Sequence, residues 1–434
     1  MQKETKKLGL VSLIALVAGN MIGSGIFLLP ANLAQLGSLS LVSWICTTLG
    51  TMFIALVFCR MSTMITKTGG PYAYAQAGLG NVLGFQTAYC YWISIWVGNA
   101  AIVLTGVSYL STFFPVLSDP VVACFTSIGF IWLFTLINLR GVHSAGSAQI
   151  VLTVLKLAPI LMIALAGWFY FRPEFLTDAV NVSSPKMSGF SVITQGATLT
   201  LWAFLGVESA TVPSDSVKNP TRNIPLATVI GAGIAAVTYI LSSTVIMGLI
   251  PNDVLRVSVS PFADAAQVIF GNWGKWLAAA AAVISCLGCL NGWILLQGQI
   301  PMAAADDGLF MKIFSRRNKN NVPAHGLAIT SFLISLLLLL TISKDLVNQF
   351  KVIILIATLT SLIPYLYTPV AEIILLASEK SRMSKKTLAV AVITIVYAFW
   401  AMTGAGQDVL SLGALFVMSS IPLYLFVSRR HKKA

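Results

Sequence analysis

Between Leu8 and Ala34 the chain carries no charged residue, yet inside that run stand Gly19, Asn20, Gly23, Ser24, Gly25 and Pro30. The run is long enough to cross a bilayer, for which about 20 apolar residues suffice. Gly23, Ser24 and Gly25 are poor helix formers, and Pro30 has no N–H to give to a helix. In hydrocarbon every backbone N–H and C=O needs a partner, so an interruption survives only beside protein or a polar cavity. A kinked helix with glycines at a packing face would account for the same residues. A second segment tips the balance. Leu201 to Pro213 contains Trp202, Leu205, Gly206, Glu208 and Ser209; slid onto the first, Gly206 meets Gly23, Glu208 meets Gly25 and Pro213 meets Pro30. Interrupted segments in corresponding positions of two halves point to the site of a secondary transporter.

Composition agrees with a chain that lives in lipid. Only 9% of residues are charged and 57% are hydrophobic, against about a quarter charged in an ordinary soluble domain. Twelve spans are expected, at roughly 8–34, 39–62, 82–114, 120–139, 150–171, 189–212, 225–249, 272–301, 326–343, 352–378, 387–404 and 409–427. The basic N-terminal residues lead straight into the first span, with no small-residue cleavage site before its break, so no cleavable signal is expected. The net charge of +13 is unevenly placed. With the N-terminus inside, 20 of the 27 Lys and Arg residues fall in cytoplasmic segments or span ends and six fall outside; Lys156 lies within a span. That bias is a topology signal that puts both termini in the cytoplasm, not a footprint for nucleic acid.

Metal and redox chemistry find little support. Cys286-x-x-Cys289 has a redox or metal spacing, but its apolar surroundings offer no second ligand pair, so both read as small packing residues. His143, His325 and His431 lie outside the spans and form no cluster, and no phosphate-binding Gly-x-x-x-x-Gly-Lys-Ser/Thr occurs. No cofactor or metal is expected, and an enzyme or a channel has no residues to work with. Asn181-Val182-Ser183 matches a glycosylation sequon, which is weak evidence by itself.

Four features inside spans carry the functional expectation. In the third span Tyr91 and Asn99 are expected to share a cavity with the first break, against the alternative of interfacial aromatics and a helix–helix amide. Lys156 stands three residues before Pro159, where a charge costs about 2.5 kcal/mol or more, so a functional role and a partner are expected, a freed carbonyl at a break among them. Trp202 and Glu208 occupy the sixth span, and a carboxylate in an apolar run is expected to couple a proton to the substrate. Gly292-Trp293 adds an aromatic among small residues in the eighth span. Pro364 in the tenth span repeats the mid-span Pro159 of the fifth. That is expected if spans 6–10 repeat spans 1–5, inverted because five crossings are odd. Glu372, near the end of the tenth span, reads as a snorkelling side chain.

With these residues in view the chain resembles the amino acid–polyamine–organocation transporters, and within them the basic amino acid/polyamine antiporters. The resemblance runs from about Lys7 to Arg430. It rests on Gly19–Pro30, Gly69–Ala75, Tyr109–Pro115, Leu201–Ser209, Lys218–Pro225, Gly292-Trp293 and Ala303–Phe310. It implies an all-α polytopic membrane protein in a single transporter domain. Twelve transmembrane helices form a LeuT-like five-plus-five inverted repeat with discontinuous helices 1 and 6. The repeats would cover about 8–171 and 189–378, with two extra helices at about 387–427. It also implies a homodimer in the plasma (bacterial inner) membrane. Substrate would be bound by Ile22, Gly23, Ser24 and Gly25, by the backbone from Trp202 to Leu205, and by Tyr91, Asn99, Trp202 and Trp293. Glu208, Lys156 and Tyr365 would serve gating and proton coupling. The implied activity is exchange of a basic amino acid for its decarboxylated amine, arginine for agmatine foremost. Lysine/cadaverine or ornithine/putrescine exchange, or proton-coupled symport, are the alternatives. Lys156 departs from the pattern of the arginine/agmatine exchangers, and Ile102 and Ala357 replace side chains of their distal pocket.

Overall fold

The computed structural model describes residues 8–67, 69–140, 146–178, 188–212, 214, 217–378 and 384–431, with side chains omitted at 146–152, 177–178 and 430–431. Pro213, His143 and the sequon at Asn181 lie outside the described residues. The first apolar run is two helices, α1 (Leu10–Met21) and α2 (Ser24–Ala34). Then follow α3 (Ser40–Met64), the short α4 (Pro71–Leu79), α5 (Asn81–Leu110), α6 (Pro120–Leu139) and α7 (Gly146–Ala166). After the six-residue α8 (Pro173–Asp178) come α9 (Gly189–Phe204) and, past a second break, α10 (Pro220–Leu249). The chain continues through α11 (Asn252–Leu255), α12 (Pro261–Asp306), α13 (Ala324–Leu340), α14 (Leu346–Ser378), α15 (Lys385–Thr403) and α16 (Gln407–His431).

Eleven helical stretches among the described residues have the length and hydropathy to cross a bilayer. Ala324–Leu340, at 17 residues, supplies the twelfth expected span at the short end of the spanning range. Burial orders them. α5 is 94% buried over its most apolar window and α16 only 17%, so α5 is the centre of the bundle and α16 its rim. α5 packs chiefly against α12 and α14, and α1 against α10. Leu155, Phe125 and Leu340 are among the apolar side chains left on the outside, where hydrocarbon suits them.

Two elbows are built alike. α5 follows α4 through Gly80 at φ 82°, and the first ten residues of α12 are set off by Gly271 at φ 73°. Those values belong to glycine, which has no Cβ to clash. Gln76 donates to the Asn81 side chain at 3.1 Å across the first elbow, and Gln267 donates to Asn272 at 3.0 Å across the second.

The first break falls at Ile22 and Gly23, with backbone angles outside the helical region. Pro30 does not end a helix; it lies inside α2, fully buried with the turns around it. α9 stops at Leu205, which is extended, and Gly206 takes φ 101° before a single 3-10 turn over Ser209–Thr211. Leu8 and Val217 form an isolated parallel bridge, with the Lys218 N–H on the Leu8 carbonyl at 2.9 Å, so the starts of α1 and α10 are tied together.

Candidate functional site

The two breaks face one another across a cavity. Gly23, Ser24 and Gly25 form its wall from the first break, Trp202, Leu205 and Glu208 from the second, and Tyr91 and Trp293 from α5 and α12. α2 begins without a side-chain cap, so the N–H groups of its first turn end on this space. The opposite end of the break is the C-terminus of α1, with Asn20 and Met21 on the wall. An anion is favoured at the first and a cation at the second. Ser24 is 1% exposed and its hydroxyl has no hydrogen-bond partner among the described residues, so a polar group lies ready for a ligand.

Trp202 is wedged between two glycines. A Cβ on Gly98 would lie 2.8 Å from its ring, and one on Gly25 would lie 3.2 Å from it. Both glycines are needed for the indole to lie where it does. Trp293 takes its place beside Gly206, where a Cβ would come within 3.2 Å. The two indoles are each 8% exposed, and both look onto the cavity.

Glu208 is fully buried and accepts from three donors. Tyr91 donates to Oε1 at 2.6 Å, Tyr365 to Oε2 at 2.6 Å, and the Gly206 N–H to Oε2 at 3.2 Å. One carboxylate therefore joins the second break to α5 and α14. The Tyr239 hydroxyl donates to the Ala203 carbonyl at 2.8 Å, satisfying an end-of-helix acceptor that α9 leaves open.

Four expected site residues are off the wall. Ile22 is 0% exposed and contributes the break rather than a contact. Asn99 is corrected in direction: it stands next to Gly98, about 100° further round the helix, and its amide donates to Gln297 on α12 at 2.7 Å. A buried amide finds a better partner in another amide than in an apolar wall. Tyr365 reaches the cavity only through Glu208. Lys156, 4% exposed, donates to the Gly19 carbonyl at 3.2 Å, the freed carbonyl at a break that its position called for.

Other wall residues escaped sequence reasoning. Ser94 and Ser361 bond one another on the wall, and Asn20, Gly98 and Cys289 also line it. Glu372 does not snorkel. It is buried and held by Arg60, a partnership between residues far apart in the chain. Among the described residues no group of three or more His, Cys, Asp or Glu side chains could hold a metal.

Comparison with known proteins gives this geometry a family. The family model for amino acid permeases matches residues 8–427. A cadaverine/lysine antiporter of Escherichia coli K12 is 38% identical over 436 residues, covering 99% of this chain and 96% of that protein. Putrescine transporter PotE of the same strain is 35% identical, covering 99% and 98%. PotE of Haemophilus influenzae is 33% identical with the same coverage. The matched family and these relatives are transporters rather than enzymes. With its breaks facing across a cavity in a bundle of apolar helices, the chain is an integral membrane protein of the amino acid permease family, in its basic amino acid/polyamine antiporter branch.

Proposed function

We propose that the protein exchanges a basic amino acid for its decarboxylated amine by alternating access, with lysine and cadaverine as the pair. The observation that carries this is the pairing of the uncapped α2 N-terminus with the face of Trp202 across one cavity. The amino acid's carboxylate meets the first-turn N–H groups and Ser24, and its α-ammonium the carbonyl end of α1. The side-chain cation lies over Trp202, worth about 2 kcal/mol or more once desolvated. A cation held by an aromatic face needs no carboxylate of its own, so amino acid and diamine can take turns in one site.

Support for lysine over arginine comes from the distal wall and from the relatives. A guanidinium offers five N–H donors in a fixed fork and favours planar acceptors. Here Ile95 and Ile102 are on the wall, and Asn99, whose N–H is donated to Gln297, is off it. A compact ammonium suits that surface better. The relatives carry cadaverine, lysine and putrescine in their names, and none of the three carries arginine or agmatine. Ornithine with putrescine is the next pair, and arginine with agmatine is not carried forward. In the same reading Glu208, bridging Tyr91 and Tyr365, gates the site and couples a proton, and Lys156 steadies the first break. The inverted repeat over 8–171 and 189–378, cytoplasmic termini and a homodimer in the bacterial inner membrane complete the proposal. The matching Gln–Asn bonds at the two elbows favour the repeat.

The test is uptake of labelled lysine into proteoliposomes, empty or loaded with lysine, cadaverine, putrescine, ornithine or agmatine. Uptake that requires internal lysine or cadaverine supports the proposal. Dependence on internal agmatine alone overturns the pair. Uptake into empty vesicles under an inward proton gradient favours symport, the reading to which a buried Lys156 at the first break lends weight.

A further inference from the structure

Cys289 has no part in the mechanism above, yet it is a free thiol on the cavity wall. The other five cysteines, including Cys286 one turn earlier, are not on that wall. Its Sγ lies 3.9 Å from the Asn20 carbonyl, and a Cβ on Gly23 would come within 2.8 Å of it. The thiol thus fills the notch that Gly23 leaves at the first break. Next in the chain to Gly23 is Ser24, 1% exposed with its hydroxyl unpartnered among the described residues, on the same wall. A buried hydroxyl without a partner marks the place where a ligand's polar group belongs. Cys289 therefore borders the part of the cavity formed by Asn20 and Gly23 at the first break.

We propose that Cys289 is a specificity-determining residue that sets the room for the substrate's carboxylate end. Its small side chain stops in the notch at Gly23 and leaves free the space before Ser24 that an amino acid fills and a diamine does not. A bulkier group at 289 closes that space, and the exchanger then favours the amine over the amino acid. This inference rests on the proposed exchange, and the test separates the two.

In proteoliposomes, lysine/lysine and cadaverine/cadaverine exchange are measured separately for the wild type and for Cys289→Val and Cys289→Leu. Added methyl groups in a fitted pocket cost about tenfold or more in discrimination. Lysine exchange is expected to fall by at least that factor relative to cadaverine exchange, with the larger loss in Cys289→Leu. Equal losses, or none, overturn the proposal. Should both variants fail to fold, the wild type answers the question. Methyl methanethiosulfonate is added and labelling of Cys289 is followed by mass spectrometry. The thiolate sulfur attacks the sulfenyl sulfur, methanesulfinate leaves, the thiol proton passes to solvent, and a methylthio group stays on Cys289 as a mixed disulfide. Saturating lysine is expected to slow that labelling much more than saturating cadaverine. Equal protection, or none by either, overturns the proposal. If the wild type exchanges neither compound, the substrate assignment has failed and the labelling is repeated with the amino acid and amine that are exchanged.

Discussion

The Arg60 guanidinium donates to both carboxylate oxygens of Glu372, joining α3 to α14, with Glu372 wholly buried and Arg60 still 30% exposed at its side chain. The pair is lopsided. Removing Arg60 strands a carboxylate with no route to water, whereas removing the charge of Glu372 leaves a cation that already touches solvent. Breaking a buried pair costs about 3–5 kcal/mol, and the exposure of Arg60 places this one near the lower end. Arg60→Ala is expected to lower the melting temperature of the purified protein clearly more than Glu372→Gln. A larger loss for Glu372→Gln would mean that the carboxylate is not the group that depends on the pair.

Trp202 is held by the absence of side chains at Gly25 and Gly98. Trp202→Leu removes the aromatic face and is expected to weaken binding of the cationic substrate by about tenfold or more, the scale of a desolvated cation–π contact. Gly98→Ala keeps the indole but pushes it, and is expected to weaken binding by a smaller factor. Isothermal titration on protein that elutes normally from gel filtration reads both effects. Undiminished affinity in Trp202→Leu would remove the cation–π contact from the proposed site.

Among the described residues Glu208 is the only carboxylate on the cavity wall, and Tyr91, Tyr365 and the Gly206 N–H all aim donors at it. Such a ring of donors fits the ionised form, and protonation of either oxygen would turn an acceptor facing a donor into a donor itself. Glu208→Gln fixes a neutral group in place and is expected to flatten the pH dependence of exchange. Tyr91→Phe and Tyr365→Phe each leave the carboxylate with one donor fewer, and are expected to alter the pH profile while leaving one. A Glu208→Gln protein with the wild-type profile would take the coupling role away from this residue.

Much of the site was legible because membranes make exceptions conspicuous. An uncharged run interrupted at Gly23, a carboxylate at 208 and a lysine at 156 each violate what hydrocarbon tolerates, and each lies at or beside a break. What stayed hidden depends on which face of a helix a side chain occupies, and on partners distant in sequence. Asn99 and Gly98 are neighbours in the chain, yet only Gly98 borders the cavity, because Gln297 waits on the other side. Glu372 reads as a snorkelling residue in the sequence because its partner, Arg60, lies more than three hundred positions earlier. Pro30 takes no part in the break, because the chain leaves helical geometry at Ile22 and Gly23 and has resumed it by Ser24.

Lys156 makes the sharpest separation between holding a structure and moving it. Its ammonium donates to the Gly19 carbonyl at 3.2 Å, bringing α7 onto the last turn of α1, whose carbonyl end carries partial negative charge. If α1 tilts during transport, that bond has to be broken and remade in each cycle. Lys156→Met keeps much of the side chain's bulk and removes the charge. A hydrogen bond to a charged group is worth about 1.5–3 kcal/mol, so exchange is expected to slow by roughly tenfold to a hundredfold. Substrate binding should change little, because Lys156 is off the cavity wall. Loss of binding together with transport would instead make the lysine a structural support of the first break. Exchange at the wild-type rate would show that its charge is not used at all.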